Sequence, residues 1–387
     1  MSRYSPFTPR PFSPLAGNMG LTLVELLVAM TVGAIVLAGG FRVYADQVQS
    51  SRRLQAYSHL QESGRVALDI LEHDIRMAGF TGCFSTNTTL NNTLNATFPS
   101  SFQPDRGIQG WEAKNTEVGK TIGNISTTSE LVKSNNGNWA TSGGNSLEAV
   151  DVIANSDIIR IWGGGDSDVD IVSITSGANT VIEIPNAANI EEDAILMVSD
   201  CTNADIVQAC GVAANGAKQK LTLSSGCSPG NDTSLRLKTD PGQDPSLTRL
   251  TGTIYLVSKH NSITNNPPSL FRAQLNPNGA VIGAMEELVE GVESMQMLFG
   301  ENINDDNLKS ADAYVTADKV SDWTKVVSVR LSILLQSIED NLASGSVPYR
   351  FNGVNYNGES GNPAATDRRL RRVFTRTITL RNRTLGS

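Results

Sequence analysis

The chain has 387 residues, with 31 basic against 39 acidic side chains and a formal charge of −8. That length holds one large or two modest domains, and the acidic balance argues against bulk electrostatic binding of nucleic acid. No Gly-x-Ser-x-Gly, His-Glu-x-x-His or Walker motif occurs, so nothing points to the common hydrolase, zinc-protease or nucleotide-binding chemistries.

Residues 1–20 form a polar leader that carries Arg3 and Arg10 and no acidic residue. From Leu21 to Phe41 the chain is apolar, broken only by Thr22, Glu25, Thr31 and glycines. As a helix this run is about 30 Å long, enough to cross a bilayer. Glu25 lies inside it, and a carboxylate in lipid, which costs on the order of 2.5–3.5 kcal/mol near the bilayer centre, signals function. A secretory signal peptide places its apolar region before the cut, whereas here it follows Gly20. A plain signal anchor with a stray glutamate is the alternative reading. The two leader arginines keep the leader cytoplasmic and send the C-terminus outward. Without the leader, 29 basic and 39 acidic residues leave a charge of −10.

The stretch Gly20-Leu21-Thr22-Leu23-Val24-Glu25 resembles the type IV pilin and pseudopilin signal. The resemblance implies cleavage by a prepilin peptidase after Gly20 and N-methylation of Leu21. It also implies that Glu25 is the assembly glutamate, which pairs with the N-terminal amine of a neighbouring subunit. The family usually has Phe at the position of Leu21, a difference that leucine tolerates.

Beyond the membrane run, residues 44–79 are expected to continue the helix in amphipathic form. Tyr44, Val48, Leu54, Tyr57, Gln61, Gly64, Leu68, Leu71, Ile75 and Ala78 mark one stripe, and Gln47, Arg52, Arg53, Glu62 and Asp74 lie off it. No proline interrupts Leu21–Ala78, and Gly79 fits a helix stop. Residues 61–69 and 74–83 together resemble the helix end of PilW-type minor pilins. Read from their chemistry, Asp69, Asp74 and Arg76 form a charged face, and Ile70, Ile75 and Met77 belong to the core.

Residues 80–148 are rich in Ser, Thr, Asn and Gly and read as long surface loops, anchored by Trp111 and Trp139. From 149 to 387 a β-rich head is expected. Strands are read at Ser156–Trp162, Val169–Ile174, Thr180–Ile184 and Ala194–Ser199, with a turn at Gly163-Gly164-Gly165-Asp166. Ala204–Gln208 and Lys220–Ser224 are read as a hairpin around Asn215-Gly216.

The four cysteines are Cys83, Cys201, Cys210 and Cys227, and an even number on the outward side of a membrane points to two disulfides. The expected hairpin places Cys201 near Cys227 and leaves Cys210 for Cys83. Four cysteines allow three pairings, so the alternatives stay open. No CxxC pair occurs and the histidines lie far from the cysteines, so no metal site is expected. Asn302, Asn304, Asp305 and Asp306 resemble half of a calcium loop. The glycine and distal glutamate of such a loop are missing, so a solvated acidic turn is the reading. Arg368, Arg369, Arg371 and Arg372 form a basic cluster, read either as a solvated start of a strand or as a docking face for an acidic partner.

In the last third, residues 268–272, 287–296, 299–300, 322–323, 326–331, 371–375 and 380–383 resemble PilW family motifs. Val327, Val329, Leu331, Ile333 and Leu335 alternate as a half-buried strand, and Val373–Arg381 does likewise. Such strands suit an antiparallel sheet laid on the amphipathic helix, so the fold class is α+β, type IV pilin-like. The chain is thus identified by resemblance as a PilW-type minor pilin that helps to initiate type IV pilus assembly. The resemblance implies no enzyme activity, catalytic residue or cofactor. Its implied partners are other minor pilins, the major pilin, the prepilin peptidase and the inner-membrane assembly platform. It implies a single-pass inner-membrane protein with a periplasmic C-terminus, later carried into the pilus or to the cell surface. A GspJ-like minor pseudopilin of type II secretion and a pilus-borne adhesin or DNA-uptake subunit are the alternatives.

Overall fold

The computed structural model describes residues 22–80, 90–95, 106–122, 131–135, 137–141, 147–177, 179–200, 202–234, 236–259, 267–275, 281–304, 310–359 and 363–384. The chain divides into two compact units, one reaching to Arg53 and one beginning at Leu54.

The expected helix is present as α1 (Leu23–Met77), 55 residues without a proline. In its first unit the apolar side chains of Leu23, Leu26, Ile35, Leu37 and Phe41 are exposed. A helix apolar all round belongs in lipid or in a protein core. The Thr31 hydroxyl is satisfied within the helix, donating to the carbonyls of Leu27 and Val28. Gly33, Gly39 and Gly40 do not break the helix, and a Cβ at any of them would meet open space.

From Leu54 onward α1 becomes one-sided. Leu60, Gly64, Ala67, Leu68, Leu71 and Ile75 are buried at helical spacing, followed by Ala78. The sequence reading of this stripe is right from Gly64 on. Leu54, Tyr57 and Gln61 are exposed, and Leu60 and Ala67 take the buried places instead. Gly79 ends the helix with φ +70°, and Gly107 (φ +66°) packs directly on it. A side chain at Gly107 would strike the Gly79 backbone, so this crossing requires two glycines.

The stretch expected to be loops supplies β1 (Leu90–Asn92), β2 (Ile108–Ala113), β3 (Leu131–Lys133) and β4 (Trp139–Ala140). Trp111 and Trp139 are buried in it, in keeping with their reading as anchors. Then follow β5 (Asp151–Ile153), β6 (Ile158–Asp170), β7 (Ser173–Thr175), β8 (Thr180–Pro185), β9 (Ile195–Ser199), β10 (Ala204–Gln208), β11 (Gly211–Asn215), β12 (Lys218–Leu223), β13 (Ser246–Ser258), β14 (Ser269–Leu275) and β15 (Val281–Glu290). The C-terminal part adds β16 (Val292–Glu301), β17 (Ala313–Val315), β18 (Val326–Gln336), β19 (Tyr349–Phe351), β20 (Val354–Tyr356), β21 (Arg371–Thr379) and the short α2 (Arg381–Thr384).

A nine-stranded sheet runs β1-β10-β9-β13-β6-β2-β4, with β14 and β15 branching from β13; β1 pairs parallel to β10 and the other pairs are antiparallel. Smaller sheets run β11-β12-β8-β7 and β17-β16-β18-β21. The last lies over the second half of α1. Met295, Met297, Val329, Leu331 and Ile333 form one core with Leu60, Ala67, Leu68, Leu71 and Ile75. At a few kcal/mol for each large buried side chain, this core fixes the head on the helix end. Asp74 accepts from the Tyr255 hydroxyl, and Arg376 of β21 reaches both Asp69, at 3.0 Å, and Glu72. Of the residues read as core, Ile75 is buried, whereas Ile70 and Met77 are only half-buried.

Two local readings are corrected. Gly163-Gly164-Gly165 is not a turn; β6 runs straight through it. The glycines admit the helix end, whose Phe80 carbonyl accepts from the Gly164 N–H at 2.6 Å. Ala204–Gln208 is not the hairpin partner of the strand at Lys218–Leu223. That partner is β11, with Asn215 opposite Lys218, while β10 pairs with β9. A turn after Asn215 closes the tight hairpin, and tight hairpins join neighbours in sequence.

Candidate functional site

At its first turn α1 carries a reciprocal cap. The Glu25 N–H donates to Thr22 Oγ1 at 3.2 Å, and the Thr22 N–H and hydroxyl both donate to Glu25 Oε2 at 3.0 Å. This is a capping box, with threonine at the N-cap and glutamate three residues on. It satisfies backbone donors that would otherwise be orphaned in an apolar setting. Glu25 is exposed, and among the described residues its hydrogen-bond partners at this turn all belong to Thr22. Gly20 and Leu21 lie outside the described residues.

The disulfide expectation is corrected. Cys210 bonds to Cys227, not to Cys83. The reason is the hairpin. With β11 folded onto β12, Cys210, just before β11, stands beside the chain that leaves β12. Its N–H donates to the Thr222 carbonyl at 3.0 Å. Cys83 and Cys201 lie outside the described residues.

The basic cluster does not form one solvated or docking face. Arg371 is buried and is gripped by two carboxylates. Its Nε and Nη2 donate to Glu293 at 2.7 and 3.1 Å, and its Nη1 and Nη2 donate to Asp367 at 2.5 and 2.8 Å. Burial pushes Glu293 up to about 7 against the pull of Arg371, while Asp367 is held low by the same guanidinium despite its own burial. Arg369 donates to the carbonyls of Ser337 and Ile338, and Arg372 lies over the Phe374 ring. In the expected acidic turn, Asp312 accepts from the N–H groups of Ile303 and Asn304, and Asp305 and Asp306 lie outside the described residues. Among the described residues no three His, Cys, Asp or Glu side chains are grouped to hold a metal.

The structure brings together a polar site that no local sequence pattern reveals. Asp157 links two sheets, accepting from the Ala113 N–H at 3.0 Å and the Met297 N–H at 2.8 Å. Burial raises its carboxyl to about 7. Beside it Glu112, only 4% exposed, accepts from the Thr116 hydroxyl at 3.2 Å through Oε1, while its buried Oε2 has no partner. Burial first, and then the charges of Asp157 and Asp318, push Glu112 up to about 9, and the Thr116 hydroxyl pulls the other way. An unmet buried polar atom costs about 1–3 kcal/mol. A cavity of about 290 Å³ opens beside Glu112 and extends past β16, β18 and β21 to the β19–β20 hairpin. A second groove, of about 730 Å³, runs along Glu72, His73, Arg76, Thr379 and Arg381; there Arg76 already pairs with Glu72 at 3.2 Å.

Residues 254–382 match the family model described as Type IV Pilus-assembly protein W. Over 60 residues the chain is 43% identical to the pilin-like protein PilA3 of Thermus thermophilus, which is 16% of this chain and 26% of that protein. The chain thus spans about a quarter of the length of the curated relative it matches. A solved type IV-like pilin from Thermus thermophilus is similar over 56% of this chain and 85% of its own, at 14% identity and a TM-score of 0.22. The fold assignment rests on the helix and sheets themselves.

Proposed function

We propose that this PilW-type, type IV pilin-like chain is a minor pilin that helps to initiate pilus assembly and enters the pilus or its tip complex. The observation that carries this reading is the exposed apolar stretch of α1 from Leu23 to Phe41, with one carboxylate, Glu25, at its start. Side chains such as Leu26 and Leu37 each yield about 1.5–3 kcal/mol on leaving water, which far outweighs the cost of one glutamate in lipid. On this reading the leader is cut after Gly20, Leu21 is methylated, and the helix waits in the inner membrane with the head in the periplasm. Glu25 then pairs with a neighbouring subunit's N-terminal amine, and the head docks on other minor pilins. The role is structural and not enzymatic.

The test is a deletion strain in which surface pili are counted and secreted proteins are assayed from the same culture. Loss of pili with normal secretion is expected. Normal pili with export substrates trapped in the periplasm would overturn the reading in favour of a type II secretion pseudopilin.

A further inference from the structure

The cavity beside Glu112 has the size and chemistry of a ligand site. At about 290 Å³ it lies at the lower edge of small-molecule pockets, with room for one sugar-sized ring. Its lining includes Arg330 and Arg350, both exposed in an otherwise acidic chain. Arg249, Arg272, Arg371 and Arg376 are all paired with carboxylates. Arg330 and Arg350 make no ion pair or side-chain hydrogen bond among the described residues. The Arg330 guanidinium lies 4.2 Å from the centre of the Tyr314 ring, which holds its plane without using its N–H groups. Glu112 supplies the buried wall. Its Oε1 accepts from the Thr116 hydroxyl, which fixes the carboxyl against that wall. The hydroxyls of Ser332 and Thr375, 3.0 Å apart across β18 and β21, line another wall, and Phe351 gives an apolar one.

Two guanidinium forks are donors only and carry positive charge, so the missing ligand is rich in acceptors and anionic. A planar carboxylate matches an arginine fork, and hydroxyls on a ring suit the remaining polar walls. We propose that this pocket binds the ring of an acidic sugar, a uronic or sialic acid residue, with its carboxylate on Arg330 and Arg350 and its ring hydroxyls toward Glu112. This inference stands apart from the pilus-assembly reading, because it needs only the head and its pocket.

The test is calorimetric titration of the whole chain in detergent with galacturonate and N-acetylneuraminate. Galactose, inorganic phosphate and a hexaglutamate peptide are titrated at matched ionic strength. One acidic sugar is expected to bind saturably at one site, with galactose and phosphate at least about tenfold weaker. Arg330→Ala and Arg350→Ala are each expected to weaken that binding about tenfold or more. Both side chains are exposed, so the variants should fold, and Arg372→Ala serves as a surface control with unchanged binding. No saturable binding of either acid would overturn the proposal. So would equal binding of phosphate, equal binding by the arginine variants, or tighter binding of the peptide, which would make the pocket a protein-docking site.

Discussion

Arg371 and Glu293 face each other as a two-pronged ion pair, Nε to Oε2 at 2.7 Å and Nη2 to Oε1 at 3.1 Å, with both side chains sealed from solvent. The pair joins β16 to β21 across the intervening β18, and Asp367 closes it from the preceding loop. A buried ion pair is weak evidence of net stabilisation, because desolvation offsets the attraction. Breaking it is another matter, since the surviving charges stay buried. Arg371→Met therefore should destabilise the head by about 3–5 kcal/mol. Urea unfolding followed by the fluorescence of the buried Trp111, Trp139, Trp162 and Trp323 checks this. An unchanged midpoint would show that the carboxylates simply take up protons.

A second prediction concerns a close contact in the nine-stranded sheet. Gly252 on β13 lies under the buried Trp162 ring of the adjacent β6, and a Cβ there would overlap the ring. Gly252→Ala should cost about 1–3 kcal/mol through overpacking. Pairing it with Trp162→Phe should give a non-additive result in the same assay, as expected of touching residues. Strict additivity would mean that the ring moves aside freely.

How much of this was legible beforehand follows from where each signal lives. A proline-free run ending at Gly79 and the alternation of Val327, Val329, Leu331, Ile333 and Leu335 are local patterns, and α1 and β18 stand where they predict. β2 was hidden because Gln109, Gly110 and Glu112 make it look like loop. Its burial depends on distant partners, such as Arg160, which donates to Gln109 at 2.7 Å. Arg371 sits in a run of arginines that looks solvated, and only its long-range pairing with Glu293 reveals it as core. β11 is largely exposed and shows no alternation, so its sequence points to the more apolar Ala204–Gln208 as the hairpin's first strand and, with it, to a different partner for Cys210. The pocket drew on residues from six separate segments and had no sequence signature.

Glu112 makes stability depend on pH with a definite sign. Its folded value, about 9, lies above the ordinary 4.5, so the native state keeps a proton that the unfolded state releases. Its contribution is full below about pH 4.5 and is lost as pH rises toward 9. Asp157 and Glu293, both raised to about 7, act in the same direction over a narrower window. Glu112→Gln should leave stability near pH 5 unchanged and flatten the decline between pH 5 and 9, by up to about 1.4 kcal/mol per pH unit. Unfolding temperatures across that range provide the check, and parallel curves for the two proteins would remove Glu112 as the cause.

The Cys210–Cys227 bond closes a loop with a sequence separation of 17. In the chain-entropy model a loop of this size is worth about 3 kcal/mol. The double variant Cys210→Ser with Cys227→Ser should lose about that much, with β11 and β12 showing the greatest gain in hydrogen exchange. If exchange rises evenly over the whole head instead, the bond is not a local staple.

Glu25 caps the start of α1, and the assembly reading gives it a second, separable job. Its carboxylate closes the capping box with Thr22, and on the assembly reading it also offers a charge to a neighbouring amine. Glutamine at the same position keeps the box, because Gln reaches the N-cap N–H as Glu does. Alanine loses both. Glu25→Gln and Glu25→Ala should therefore insert equally well into membranes and both fail to support pili, since neither carries the charge. Membrane fractionation and pilus counts in strains carrying each variant decide the matter. Wild-type piliation by Glu25→Gln alongside failure of Glu25→Ala would assign Glu25 to helix capping and take the charge out of the assembly step.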